Sequence, residues 1–257
     1  MALVLAETAA GAAAFLFLSP LWGEVRRGFF YLTGVVILAL AVGAAFATAA
    51  GFDRATTPEA GPALVITLVF AGATLAWLVL LRFGLATAGR VVGFVSVAIG
   101  LGAMVAFART TGDAFASTLF QLLAGAAFTG AVLDGLLLGH WYLTDRKLPR
   151  RPINRLTTAL LITVVLELIA LVVAGFGTGS GPGPQASGSL NPLLSLGGSA
   201  ALIAVGMVLC TGLVAVFIAL TLRGTRPSAV QSATGFFYLA VITAFTAELA
   251  AKVRFLP

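Results

Sequence analysis

Four carboxylates, Glu7, Asp134, Glu167 and Glu248, stand inside long apolar stretches of this 257-residue chain. A charge at the centre of a bilayer costs roughly 2.5 to 17 kcal/mol, so acids kept there are expected to face protein or a water-filled cavity. Their accessible chemistry is to bind and pass protons. Asp134 stands nine positions before the inner end of the fifth apolar run and Glu167 eleven positions into the sixth. At a helical rise of ~1.5 Å per residue, both are expected roughly 13 to 17 Å from the cytoplasmic edge. Helices joined by a short loop usually pack together, so the two acids are expected to meet near the midplane and share one proton, since two desolvated like charges repel. Glu7 and Glu248 fall in the outer half, and no Lys or Arg lies within the runs to neutralise any of the four.

A second group lies at the inner interface. His140, Trp141 and Tyr142 close the fifth run and are followed by Asp145, Arg146 and Lys147. Gln231, Thr234 and Tyr238 open the eighth, after Arg226 and Pro227. Aromatic belts and topology-setting arginines account for much of this pattern. The same residues could line a pocket for a quinone ring or a lipid headgroup, with His140 and Tyr142 bonding a carbonyl and with Trp141, Arg146 and Tyr238 around it. The proline-led start of the eighth run reads as a helix N-terminus, which Gln231 and Thr234 can cap. His140 lies six residues beyond Asp134, about 120° away around a helix, so these two do not form a pair.

Other chemistries lack their residues. The single Cys210 allows no disulfide or thiolate cluster within the chain, and one histidine excludes bis-histidine haem ligation. No metal site, phosphate loop or Gly-x-Ser-x-Gly elbow can be read, so no covalent or metal-ligated cofactor is expected, and catalysis by this chain alone is not expected.

The elements that position these residues follow from hydropathy. The chain is 60% hydrophobic and 9% charged, with a mean hydropathy of +1.09. Too few charges remain to build a water-soluble surface. Runs of about 20 apolar residues, without period-2 alternation, predict an all-α polytopic membrane bundle of about eight spans. The spans are read at 2–21, 29–50, 62–81, 91–108, 119–143, 156–176, 199–222 and 235–251. The first lacks a basic leader and contains Glu7, so it reads as a span rather than a signal peptide. A Gly/Pro/Ser-rich external loop covers 177–198. Span five carries small residues at helical spacing, Ala126, Gly130, Ala131, Gly135 and Gly139, which predicts close helix packing.

Alternate gaps differ in basic charge. Arg26, Arg27, Arg82, Arg90, Arg146, Lys147, Arg150, Arg151, Arg155, Arg223 and Arg226 fall on one side; Arg54, Arg109, Lys252 and Arg254 fall on the other. The first side is therefore expected to be cytoplasmic in a bacterial inner membrane, with both termini outside. The formal charge of +6 is a topology signal, and no soluble face exists for nucleic acid.

The chain reads as one membrane domain. AGAAAF at 10–15 and AGAAF at 124–128 suggest a four-plus-four duplication, 1–110 and 117–254, whereas Gly-Phe-Phe-Tyr-Leu at 28–32 and 235–239 is out of phase with it. Two classes of function fit. One is an integral subunit of a redox or energy-converting membrane complex, partnered by lipid and other membrane subunits, with carboxylates and a quinone or lipid pocket. The other is a small proton-coupled secondary transporter, although mid-span prolines of the broken-helix design are missing. A purely structural membrane helper is the third possibility. In size, span number and carboxylate-bearing helices, the chain resembles the quinol-interacting membrane subunits of bacterial reductases, a likeness of architecture that no motif carries.

Overall fold

Backbone amides in hydrocarbon have no water to bond, so apolar runs without alternation satisfy themselves as helices. The computed structural model describes residues 1–18, 21, 23–51, 59–111, 114–145, 148–173, 196–224, 226 and 228–255. Eight α-helices result: α1 (Ala2–Leu18), α2 (Arg27–Gly51), α3 (Ala60–Arg82), α4 (Ala86–Thr110), α5 (Phe115–Thr144), α6 (Arg151–Val173), α7 (Leu196–Leu222) and α8 (Ser228–Lys252). Seven are long and apolar enough to cross a membrane; α1, with 17 residues, is shorter. The first expected span, 2–21, is thus represented by α1 over Ala2–Leu18, and Leu21 lies outside the helix. The other helices run past their expected ends by one to seven residues, except that α7 ends at Leu222 as expected and α6 is described as far as Val173, because helical hydrogen bonding continues into flanking polar sequence. Most of the expected loop at 177–198, and Arg146, lie outside the described residues.

The helices pack in two rings. In the first, α1 touches α2, α2 touches α3, α3 touches α4, and α4 returns to α1; α5 to α8 repeat this order, and α1 against α5 forms the main seam between the rings. The third and fourth helices of each ring are pinned by a hydroxyl pair. These are Thr74 with Ser96 at 3.0 Å and Thr211 with Thr243 at 2.7 Å.

The seam is narrow because it is built from glycine and alanine. A Cβ on Gly11 would stand 1.7 Å from the carbonyl oxygen of Ala126, and one on Gly130 would stand 2.3 Å from the backbone of Gly11. Backbones this close exclude any side chain at either position, as the small-residue spacing on α5 predicts. Burial follows: 78% of the apolar window of α5 is inside the protein, against 33% for α7. Residues such as Phe46, Val65, Leu68, Ile162 and Ile242 are exposed on the outer helices, where lipid tails suit them.

At the arginine-rich end, two ion pairs tie the link before α2 to the second ring. Arg26 lies 3.0 Å from Asp145 and Arg155 lies 3.0 Å from Glu24. These pairs are partly exposed and fix geometry more than they add stability.

Candidate functional site

All four intramembrane acids are fully buried in protein, at 0% exposure. Three of them gather around a cation at the end of the bundle that carries the termini. Lys252 Nζ lies 2.9 Å from Glu7 Oε1 and 3.0 Å from Glu248 Oε2. The lysine side chain is itself only 5% exposed. Glu167 on α6 completes the group, since it interacts electrostatically with Glu248, Lys252 and Glu7. Its carboxyl adjoins that of Glu248, yet neither Glu167 oxygen reaches a partner at hydrogen-bond geometry.

The expectation that no cation lies within the spans is corrected here. The eighth span is expected over 235–251, but α8 continues through Lys252. A lysine stem is apolar and long, and here it carries the ammonium inward to two carboxylates instead of outward to water.

The expected pairing of Asp134 with Glu167 is also corrected. Helix α6 begins at Arg151, five residues earlier than read, so Glu167 lies about 24 Å along it, whereas Asp134 lies about 15 Å from the end of α5. The two differ in depth by about 9 Å on that rise. Asp134 sits one turn beyond Gly130 on α5, and among the described residues neither of its oxygens has a hydrogen-bond partner.

Helix packing explains why Glu248 fits. A Cβ on Gly125 would come 2.8 Å from Glu248 Oε2, so the glycine of α5 leaves the space this carboxylate occupies. The same face of α5 carries Gln121 and Thr118, both buried. Among the described residues the Gln121 amide atoms and the Thr118 hydroxyl lack hydrogen-bond partners. Gln121 and Lys252 were not among the residues expected to contribute. A signal for Gln121 existed, since it falls three and four residues before the small Ala124 and Gly125 on an otherwise apolar stretch.

The chemical content of this cluster is a charge imbalance. One ammonium can balance one carboxylate; the other two carboxyls need protons or entering cations, because uncompensated charge is expensive in a low-dielectric interior. Buried, unpartnered polar atoms beside them on α5 can donate to or accept from water or a transferred proton.

The expected pocket at the arginine-rich end divides. His140 and Tyr238 do come together across α5 and α8, with the tyrosine hydroxyl 3.1 Å from His140 Nδ1 and the rings edge to face at 6.3 Å. Both are exposed. Tyr142 instead turns inward and donates its hydroxyl to the Pro149 carbonyl, which removes it as a donor to a ligand. Trp141 packs on Gly28 and Phe29 of α2. Thr234 does not cap α8; its hydroxyl bonds the Val230 carbonyl one turn back, and it packs against Gly139. Gln231 is exposed. Cavities open at this end, and none of these six residues lines the one beside Arg223 or the one beside Arg27. Among the described residues no cluster of His, Cys, Asp and Glu has metal-binding geometry.

Compared with family models, curated proteins and solved structures, the chain gives no match in any of the three. The fold and its buried polar groups therefore define a class directly: a multi-pass helical membrane protein. Within that class, it carries three acids and one lysine enclosed where two four-helix rings meet.

Proposed function

We propose that this protein is a small proton-coupled secondary transporter in which Glu7, Glu167 and Glu248 exchange protons around Lys252. The observation that carries the reading is three buried carboxyls beside a single buried ammonium. Position supports it. Glu7 belongs to the first ring, while Glu167, Glu248 and Lys252 belong to the second, so relative movement of the rings changes the distance between charges and hence the proton occupancy. Coupling sites at the junction of repeated halves are a common transporter design, and the four-plus-four reading of the chain makes α1 and α5 the paired helices of that junction. In this reading the arginine-rich end faces the cytoplasm of a bacterium, so the cluster is loaded from outside.

The test is proton uptake into vesicles containing the purified protein, under an imposed inside-negative potential and followed with an entrapped pH dye. Uptake by the wild-type protein and its loss in Glu167→Gln, with the variant still folded and inserted, is the expected result. Wild-type vesicles that take up no protons, or a Glu167→Gln variant that conducts normally, refute the reading.

A second reading keeps one specific observation in its favour. The exposed His140 and Tyr238 pair presents a hydrogen-bonding edge on an apolar flank, which suits a quinone carbonyl within a redox or energy-converting assembly of several membrane subunits. Purification in mild detergent separates the two readings. A chain that emerges with quinone and partner subunits supports the assembly, and a chain that emerges alone supports the transporter.

A further inference from the structure

At the arginine-rich end of the first ring, a cavity of about 290 Å³ opens between the link preceding α2 and the tight turn joining α3 to α4. A water occupies ~30 Å³ in the liquid, so the space holds on the order of ten waters or one small polar headgroup. Arg26, Arg27 and Arg90 line it, Phe30 and Trp77 form its apolar wall, and no acidic residue is among its described lining. Arg26 is balanced by Asp145. Arg27 adds positive charge to the lining.

The second, independent observation is Trp77. The residue is fully buried at 0% exposure, and among the described residues its Nε1 has no hydrogen-bond partner. Its orientation follows from two glycines. The benzo edge is wedged at Gly34 of α2, where a Cβ would meet Cζ3 at 2.3 Å; the pyrrole edge faces Gly89 of α4, where a Cβ would find Cδ1 at 3.8 Å and Nε1 at 4.0 Å. Gly89 is itself part of the cavity wall. The indole N–H therefore lies on the edge of the ring beside Gly89 and the cavity wall, and a buried N–H without an acceptor calls for a partner such as a water, an ion or a ligand.

The turn between α3 and α4 is shaped to the same end. Gly84 takes φ +74°, and the Leu85 N–H bonds the Leu80 carbonyl at 3.1 Å, the pattern that closes a helix with a left-handed residue. Gly84 and Ala86 both line the cavity, so α4 starts at its edge and directs the positive end of its dipole there.

We propose that this cavity binds a phosphoryl anion carried on an apolar or glycerol moiety, held by the Arg27 guanidinium and by the Trp77 indole N–H. Guanidinium forks match phosphate oxygens in pairs, and the indole donates to a third oxygen. Two sources present this chemistry: the headgroup of an anionic phospholipid and a free phosphate ester or inorganic phosphate.

The full chain with Trp22→Phe and Trp141→Phe keeps Trp77 as its only tryptophan, so emission reports on the cavity. The purified protein in neutral detergent is titrated with short-chain phosphatidylglycerol, with short-chain phosphatidylcholine and with inorganic phosphate. A saturable response to phosphatidylglycerol alone supports the proposal with lipid as the source; saturation by inorganic phosphate as well supports it with the free anion as the source. In either case Arg27→Gln and Gly89→Ala should each weaken the response about tenfold, the size expected for one charged hydrogen bond or its obstruction. Gly89→Ala is the safeguard against misfolding, since its methyl has ordinary van der Waals room beside the indole. A linear response to all three probes, equal responses to both lipids, or a response that both variants leave unchanged overturns the proposal.

Discussion

The two rings of helices have the same packing order but close their arginine-rich ends differently. In the second ring Arg150 donates to the Gly224 and Arg226 carbonyls, the latter at 2.7 Å, and so staples the link before α6 to the link before α8. In the first ring Arg26 precedes α2, Arg27 opens it and Arg90 stands in the first turns of α4, and a cavity lies between them. A second cavity at this end, a groove of about 260 Å³ between α6 and α7, has one arginine, Arg223, and its Thr157 and Thr158 hydroxyls already bond carbonyls one turn back. One ring thus commits an arginine to its own backbone, while in the other Arg27 and the Trp77 indole lie beside a cavity.

The opposite end reverses the asymmetry. If AGAAAF and AGAAF are placed in register, Glu7 of α1 corresponds to Gln121 of α5. The first ring contributes one acid to the cluster, and the second contributes two acids and the lysine.

Experiments can break this contrast at several strengths. The largest effect is expected from Lys252→Met, which strands buried carboxylates and should lower unfolding stability in detergent by about 3 to 5 kcal/mol. Adding Glu7→Gln and Glu248→Gln should restore most of it; failure to recover would mean that the lysine acts through packing rather than charge. Next comes Gly11→Ala, whose methyl collides with the Ala126 carbonyl and should cost about 1 to 3 kcal/mol by overpacking the seam. A tolerant seam would remove the reason for treating the rings as two bodies pressed together.

Smaller effects sharpen the comparison at the arginine-rich end. Arg150→Ala removes donors from two carbonyls and should cost about 1 kcal/mol, whereas Arg27→Ala should change stability by less than about 0.5 kcal/mol, as surface substitutions do. Equal losses, measured by thermal unfolding, would show that both arginines are structural staples. The smallest effect belongs to Asp134→Asn. It replaces an isolated side chain outside the cluster by one of the same shape, so proton uptake should persist where Glu167→Gln abolishes it, and loss in both would return Asp134 to the pathway.

How much of the site was legible depended on what each residue needs. Glu7, Glu167 and Glu248 declared themselves because a carboxylate in an apolar run has few structural reasons to be there. Their company did not. Depth counted from hydropathy placed Asp134 and Glu167 at one level, but a helix continues through polar residues that hydropathy treats as loop, and the start of α6 at Arg151 moved Glu167 toward the other end. Lys252 was misread for the same reason. His140 and Tyr238 were both marked, and their meeting required the contact between α5 and α8; Tyr142 and Thr234 were marked for binding and are consumed by the Pro149 and Val230 carbonyls. Trp77, in a chain with two other tryptophans, had nothing in its sequence neighbourhood to set it apart.

Composition and the length of apolar runs determined by themselves that this chain forms helices in a membrane, because hydrocarbon offers the backbone no alternative partner. They also determined which residues are anomalous there. Only the tertiary structure decided which anomalies share a site, since that depends on where each helix begins, how closely glycines let backbones approach, and which donors the fold uses for its own carbonyls. Burial is a property that a sequence can announce residue by residue; proximity between helices is set by packing, and it is proximity that joins Glu7 to Lys252 and leaves Asp134 apart.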